Sequence, residues 1–215
     1  CFTGPTASLE AALKYANNER RALLAGAYKR LAVLLARTAI PGKDWPAVQA
    51  ELERARNVSL AGDMSPESDD FSPYTVINGL QFAGLTGSAD VANDIGLAER
   101  CQKLARQRFA VTGDFFDAIG PADALLAVRL LDGTLGQAAD EVARTYREAG
   151  EGVSSSARQF NSVVSHLRTL ADLVRVRGAA GDAELEKVLR DLANGLDPNN
   201  GSRIAGSVAA APARS

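Results

Sequence analysis

Residues 8–40 read SLEAALKYANNERRALLAGAYKRLAVLLARTAI, and Pro41-Gly42 follow directly. The stretch contains no proline, so a helix can run through it until the Pro-Gly pair ends it. At about 100° per residue, its large apolar side chains share one stripe. The stripe contains Leu9, Leu13, Ala16, Leu23, Leu24, Ala27, Leu31 and Leu34, whereas Lys14, Asn18, Arg21 and Lys29 lie off it. Because a helix this long measures about 50 Å, we predict that later helices pack along the stripe and bury it.

The rest of the chain repeats the helical pattern. A narrow apolar stripe lies before Val176 and contains Phe160, Val163, Val164, Leu167, Leu170 and Val174. Ser72 and Asp182 predict helix starts, and Gly120-Pro121 predicts the end of the long run that begins at Val91. No segment alternates apolar and polar residues for long enough to indicate a strand.

These patterns predict an all-α fold, a bundle of five to seven helices of which two or three are long and amphipathic. We expect residues 1–7 to form a tether, residues 8–195 a single helical domain, and residues 196–215 a turn and a flexible tail. A chain of 215 residues is long enough to bury a sizeable core as one domain.

Composition excludes several classes of protein. Hydrophobic residues make up 46% of the chain and charged residues 23%, as in ordinary globular proteins rather than disordered ones. The formal net charge is -2, so nothing indicates the basic excess of a nucleic-acid-binding protein. No apolar run approaches the roughly 20 residues that span a bilayer.

Cys1 is followed by the small and flexible run Thr3-Gly4-Pro5-Thr6. This start resembles a mature bacterial lipoprotein, in which a signal peptide is cut just before a cysteine that is then acylated. The resemblance implies a firm anchor made of two or three acyl chains. The residue after the cysteine is Phe2 rather than an Asp. In the enterobacterial version of the lipoprotein sorting rule, this implies sorting to the outer membrane. The alternative is an arbitrary boundary or a protease cut that happens to fall on a cysteine.

The second cysteine, Cys101, lies within the apolar arc of the run from Val91 to Ile119. A free cysteine on such a face behaves as a small hydrophobic residue. A disulfide with Cys1 is the alternative if the first thiol is not acylated.

An acidic loop and one arginine are the other candidate sites. The loop between residues 57 and 72 carries Asp63, Glu67, Asp69 and Asp70. Carboxylate oxygens bind Ca²⁺, but the spacing is not that of an EF-hand, and a plain solvated loop has the same composition. Arg20 lies near the middle of the first helix's apolar stripe with Asn17 on its flank, so the two are candidates for a buried polar pair. Alternatively, the arginine stem packs and the guanidinium reaches water, or it binds an anion.

No catalytic constellation is evident. The only histidine, His166, lies about 90° from the centre of its helix's apolar stripe, at a boundary position rather than that of a ligand. A typical zinc site, a covalently attached haem and a di-iron bundle all need residues that the chain lacks. We therefore predict no catalytic residue, no metal and no cofactor.

Two hypotheses for function follow. The first is a non-enzymatic, lipid-anchored structural or adaptor subunit of a cell-envelope complex, on the periplasmic face of a bacterial outer membrane. Its partners would be other envelope proteins and the membrane itself, through acyl chains on Cys1, without nucleic acid. The alternative is a small-molecule or ion binder, or an enzyme, with a site between helices. A polar pocket with perturbed titrating groups favours the alternative, and a broad apolar surface favours the first.

Overall fold

The structure, a computed structural model, describes residues 18–61, 68, 71–151, 153 and 157–197. Within those residues the chain forms eight α-helices and no strand. In chain order they are α1 Asn18–Thr38, α2 Trp45–Ser59, α3 Pro73–Thr86, α4 Val91–Thr112, α5 Phe115–Leu131, α6 Leu135–Glu151, α7 Ala157–Arg177 and α8 Asp182–Leu196. The prediction of an all-α protein is confirmed, whereas the predicted number of five to seven helices is wrong.

The boundary between α4 and α5 lies earlier in the chain than the sequence analysis placed it. Gly113 adopts a left-handed conformation with φ of 63° and ends α4, and Asp114 then starts α5 by accepting a hydrogen bond from the Phe116 amide at 2.8 Å. Pro121, predicted to end this run, instead lies inside α5. Its carbonyl accepts a hydrogen bond from Gln102 of α4 at 3.2 Å. Packing of α5 against α4 therefore accommodates the proline that local propensity alone disfavours.

The orientation of α1 is the main correction to the sequence analysis. Its buried face consists of Ala25, Ala32 and Ala36, together with Arg21. Most of the predicted stripe that lies within the described residues faces outward instead, with Leu23 65% and Leu34 56% exposed. The alanines allow the backbone of α1 to lie close to α2, its principal neighbour, where leucines would hold the two helices apart.

The centre of the molecule is formed by α3 and α5, which are apolar on nearly all sides. Helix α5 contacts α3, α4 and α6, and α3 also contacts α2 and α4. The predicted apolar stripe of α7 is confirmed: Val163, Val164, Leu167, Leu170 and Val174 are buried, and Phe160 packs against the same cluster. None of the described helices is long and apolar enough to cross a membrane.

Candidate functional site

The reversed orientation of α1 directs Lys29 towards polar groups of α3, α5 and α7. The Lys29 Nζ lies 2.6 Å from Nδ1 of His166 on α7. The other ring nitrogen of His166, Nε2, lies 2.5 Å from Oε1 of Gln81 on α3. The amide nitrogen of Gln81 in turn donates to the backbone carbonyl of Asp123 on α5 at 3.0 Å. We call this series, Lys29–His166–Gln81–Asp123, the polar relay.

The donors and acceptors of the polar relay fix the tautomer of His166. Since Gln81 donates through its nitrogen to a carbonyl, its oxygen faces His166 and needs a donor there. Nε2 of His166 therefore carries the proton, and Nδ1 accepts from the Lys29 amine. Burial, reinforced by the Lys29 charge, lowers the pKa of His166 well below its usual value, so the imidazole is neutral at pH 7.

The carboxylate of Asp123 forms a second branch of the site. The Tyr146 hydroxyl, on α6, donates to Oδ1 of Asp123 at 2.5 Å. Burial raises the pKa of Asp123 to about 6, against the lowering effects of the Tyr146 hydrogen bond and of the Lys29 charge. Asp123 thus accepts a hydrogen bond from Gln81 at its backbone carbonyl and another from Tyr146 at its carboxylate.

Lys29 and Asp123 influence each other without making a direct ion pair. Burial lowers the pKa of Lys29 to about 8, and the charge of Asp123 partly offsets this effect. In the described part of the chain, the Lys29 amine bonds to His166 and lies 6.0 Å from the Phe82 ring centroid, while Asp123 accepts from Tyr146. An ammonium and a carboxylate are therefore both held in a partly dehydrated space with bonding capacity left over.

That space is a cleft of about 550 Å³ between α1, α3, α5 and α7. Its volume falls within the range of about 300–1,000 Å³ that is typical of small-molecule sites. The charged side chains that line it are Lys29, Arg30, Arg37 and Asp123, three bases against one acid. The rest of the lining is mainly apolar or neutral and includes Val33, Leu34, Tyr74, Phe116, Ile119, Val163 and the hydroxyls of Ser162, Ser165 and Thr169.

Two aromatic side chains border the same cleft. Tyr74 and Phe116 meet edge to face with ring centroids 5.9 Å apart, although each is partly exposed. A smaller cavity of about 280 Å³ adjoins the cleft and shares Lys29, Arg30, Tyr74 and Asn78 with it. Lys29 therefore contributes to both cavities.

Most of the residues proposed from the sequence do not belong to this site. Cys1, Asn17 and the acidic candidates Asp63, Glu67, Asp69 and Asp70 lie outside the described residues, so the lipid anchor, the Arg20–Asn17 pair and the calcium loop stay predictions. Arg20 itself is exposed. Within the described ranges, no group of three or more possible ligands could hold a metal ion.

Cys101 is a free thiol and fully buried, in a small cluster with Leu80, Leu97 and Ala98. Burial raises its pKa to about 12, against the lowering effect of two nearby arginines. This agrees with its prediction as a small core residue, whereas Cys1, its partner in the disulfide alternative, lies outside the described residues.

The sequence analysis missed the polar relay, although one signal was present. Asp123 is the only charged residue between Asp117 and Arg129, in a segment that is otherwise apolar. A lone acid in such a segment must be paired or perturbed once it is buried. His166 was recognised only as a boundary residue, and Lys29 only as a residue off the apolar stripe.

Comparison with known proteins finds no matching family model, no matching curated protein and no matching solved structure.

Proposed function

We propose that the protein binds a small organic anion with an apolar body in the cleft between α1, α3, α5 and α7. The observation that supports this most is the polar relay, which ends in a Lys29 amine at the cleft. Burying titratable groups costs free energy, and the cost is not needed for a stable helical bundle. Perturbed groups that line a cleft are a mark of functional sites.

The charge of the cleft supports an anion as the ligand. Lys29, Arg30 and Arg37 outnumber Asp123, so the cleft carries a positive excess at pH 7 while Asp123 is ionised. A carboxylate or a comparable anionic group would accept hydrogen bonds from Lys29 and displace little of the existing network. Charge-assisted bonds of this kind are about twice as strong as neutral ones.

The apolar part of the cleft lining supports an apolar ligand body. Val33, Leu34 and Ile119 line the cleft together with the paired rings of Tyr74 and Phe116. These side chains would bury methylene or aromatic groups of the ligand, and each buried methylene contributes about 0.8 kcal/mol. A short fatty acid or an aromatic carboxylate combines both features, whereas a bare inorganic anion does not.

The test is a titration of the full chain with octanoate. Binding is measured by isothermal calorimetry or by displacement of a fluorescent anionic probe. We expect saturable binding of octanoate, with octanol, which has the same chain length but no charge, binding more weakly. Lys29→Met should weaken octanoate binding by at least about tenfold, because one charge-assisted bond contributes about 1.5–3 kcal/mol.

Lys43→Met is the matched control, because Lys43 is exposed in the turn between α1 and α2 and does not line the cleft. Its affinity for octanoate should equal that of the unmodified chain. Equal affinity of Lys29→Met and Lys43→Met would contradict the proposal, as would equal affinity for octanoate and octanol. The prediction that the chain is not an enzyme is left untouched by this test.

A further inference from the structure

The contact with His166 leaves the lone pair of the Lys29 nitrogen unused. Nε2 of His166 carries the ring proton, because it lies 2.5 Å from Oε1 of Gln81. Nδ1 is therefore an acceptor only, and the Lys29 amine, 2.6 Å away, must donate to it. A neutral amine that donates one N–H in this way still has its lone pair and a second N–H. His166 thus holds the nitrogen in place without blocking its reaction.

The surroundings of Lys29 favour this neutral form of the amine. Burial lowers its pKa to about 8, and the charge of Asp123 offsets only part of that effect. In the described part of the chain, no carboxylate forms a direct ion pair with Lys29. A lysine that is removed from water beside apolar side chains is the usual form of a nucleophilic lysine in proteins.

A group that can exchange protons lines the same cleft. Asp123 lies in the lining with Lys29, and its bond to Tyr146 occupies only Oδ1. Burial raises the pKa of Asp123 to about 6, so both of its protonation states are accessible near neutral pH. An acid of this kind is suited to general acid–base catalysis. The cleft therefore combines a nucleophile, a proton carrier and an apolar wall.

We propose that Lys29 captures an aldehyde with an apolar body by forming an imine in the cleft between α1, α3, α5 and α7. The Lys29 nitrogen forms a bond to the carbonyl carbon, and the carbonyl oxygen leaves as water with the two amine protons. Asp123 would give a proton to the departing hydroxyl and take one from the nitrogen. No oxidant or reductant takes part. The inference goes beyond the proposed function, because it shares the cleft but needs no charge on the ligand.

The position of Lys29 distinguishes it from the other lysines of the chain. The sequence contains five lysines. Lys43, Lys103 and Lys187 are exposed, and Lys14 lies outside the described residues. Lys29 lines both the cleft of about 550 Å³ and the adjoining cavity of about 280 Å³. Capture should therefore be selective for Lys29.

The test incubates the full chain with octanal and sodium cyanoborohydride near neutral pH, which reduces the imine to a stable secondary amine. The intact mass should rise from 22.6 kDa by the mass of octanal less one oxygen atom. Peptide mapping should place the adduct on Lys29. We expect Lys29 to react about tenfold or more faster than Lys43, because a larger fraction of its amine is neutral.

Two substitutions of Lys29 and one control sharpen the test. Lys29→Met should lower the total rate of adduct formation about tenfold or more, whereas Lys43→Met should leave it unchanged. Lys29→Arg keeps the positive charge but has no nucleophilic amine. It should form no adduct at position 29, yet bind octanoate more tightly than Lys29→Met does. Urea unfolding checks that each variant is folded.

The outcomes separate this inference from the proposed function. Excess octanoate should slow the reaction of Lys29 with octanal, since both occupy the cleft. The inference is overturned if Lys29 reacts no faster than Lys43, even where octanoate binds as proposed. Conversely, rapid capture at Lys29 without any binding of octanoate would support the inference and contradict the proposed function.

Discussion

The two faces of α1 differ in a way that hydrophobicity alone does not explain. Ala32, on the inner face, is completely buried, whereas Leu31, its neighbour in sequence, is 42% exposed. The smaller side chain is inside because α1 lies close to α2, and only small residues fit between two helices at short distance. The comparison teaches that an amphipathic helix can bury its small residues and leave its large ones exposed.

The largest expected effect comes from enlarging the inner face. Ala32→Leu should lower the free energy of unfolding by about 2–3 kcal/mol, because added methylenes in a filled core displace the neighbouring helix. Urea unfolding followed by circular dichroism measures the loss. Ala27→Leu, the same substitution at an exposed position of α1, is the control and should change stability by less than about 0.5 kcal/mol. Equal effects at the two positions would show that the inner face is not packed as described.

A smaller effect is expected from removing the hydrogen bond between Tyr146 and Asp123. Tyr146→Phe removes the hydroxyl that donates to Asp123 and should cost about 1.5–3 kcal/mol, the usual range for a bond to a charged group. Because that bond lowers the pKa of Asp123, the substitution should raise the pKa above about 6. Carboxyl carbon NMR follows the titration, and urea unfolding follows the stability.

A double-mutant cycle with Asp123→Asn supplies the control for Tyr146→Phe. If the two side chains interact as described, the loss caused by Tyr146→Phe should be smaller in the Asp123→Asn background. The same loss in both backgrounds, with an unmoved Asp123 titration, would contradict the assigned bond.

The burial of Lys29 predicts that the free energy of unfolding depends on pH. The exposed outer face of α1 does not contribute to this dependence. The folded chain releases the Lys29 proton near pH 8, whereas the unfolded chain keeps it until about 10.5. Between these values the unfolded state binds more protons, so this group makes the folded state more stable as the pH rises. The raised pKa values of Cys101 and Tyr146 act in the opposite direction at alkaline pH.

Subtracting the pH profile of Lys29→Met from that of the unmodified chain therefore isolates the Lys29 contribution. We expect the difference to grow in favour of the unmodified chain from about pH 8 to 10.5, as measured by urea unfolding. Lys43→Met, the same substitution at an exposed lysine outside the cleft, is the control. A flat difference for Lys29→Met would mean that the amine is not buried.

The smallest expected effect is on the outer face. Leu31→Ala should change the free energy of unfolding by less than about 0.5 kcal/mol, because the side chain is partly in solvent. Urea unfolding checks this value. A loss of several kcal/mol would mean that Leu31 is packed in an interface. It would contradict the description of the outer face of α1 as exposed.

The all-α class and the buried stripe of α7 were predictable, because local periodicity is enough to recognise both. The start of α3 was predictable as well, since Ser72 accepts a hydrogen bond from the Thr75 amide as an N-terminal cap does. These features depend on residues close together in sequence.

What was not predictable depends on contacts between distant segments. The choice between the two faces of α1 is decided by the distance to α2, and the continuity of α5 through Pro121 by packing against α4. The polar relay joins Lys29 to His166 across 137 residues, so no local pattern indicates it. The only local signal for the site was the isolated Asp123.

Measuring the pKa of the Lys29 amine tests the central claim most directly. That claim is that the orientation of α1 places this side chain in a buried polar cleft. Side-chain nitrogen NMR of the full chain, with Lys29 assigned from the Lys29→Met spectrum, gives the titration midpoint. We predict a midpoint near 8. A midpoint near 10.5, the ordinary value for lysine, would contradict the burial of Lys29 and with it the proposed site.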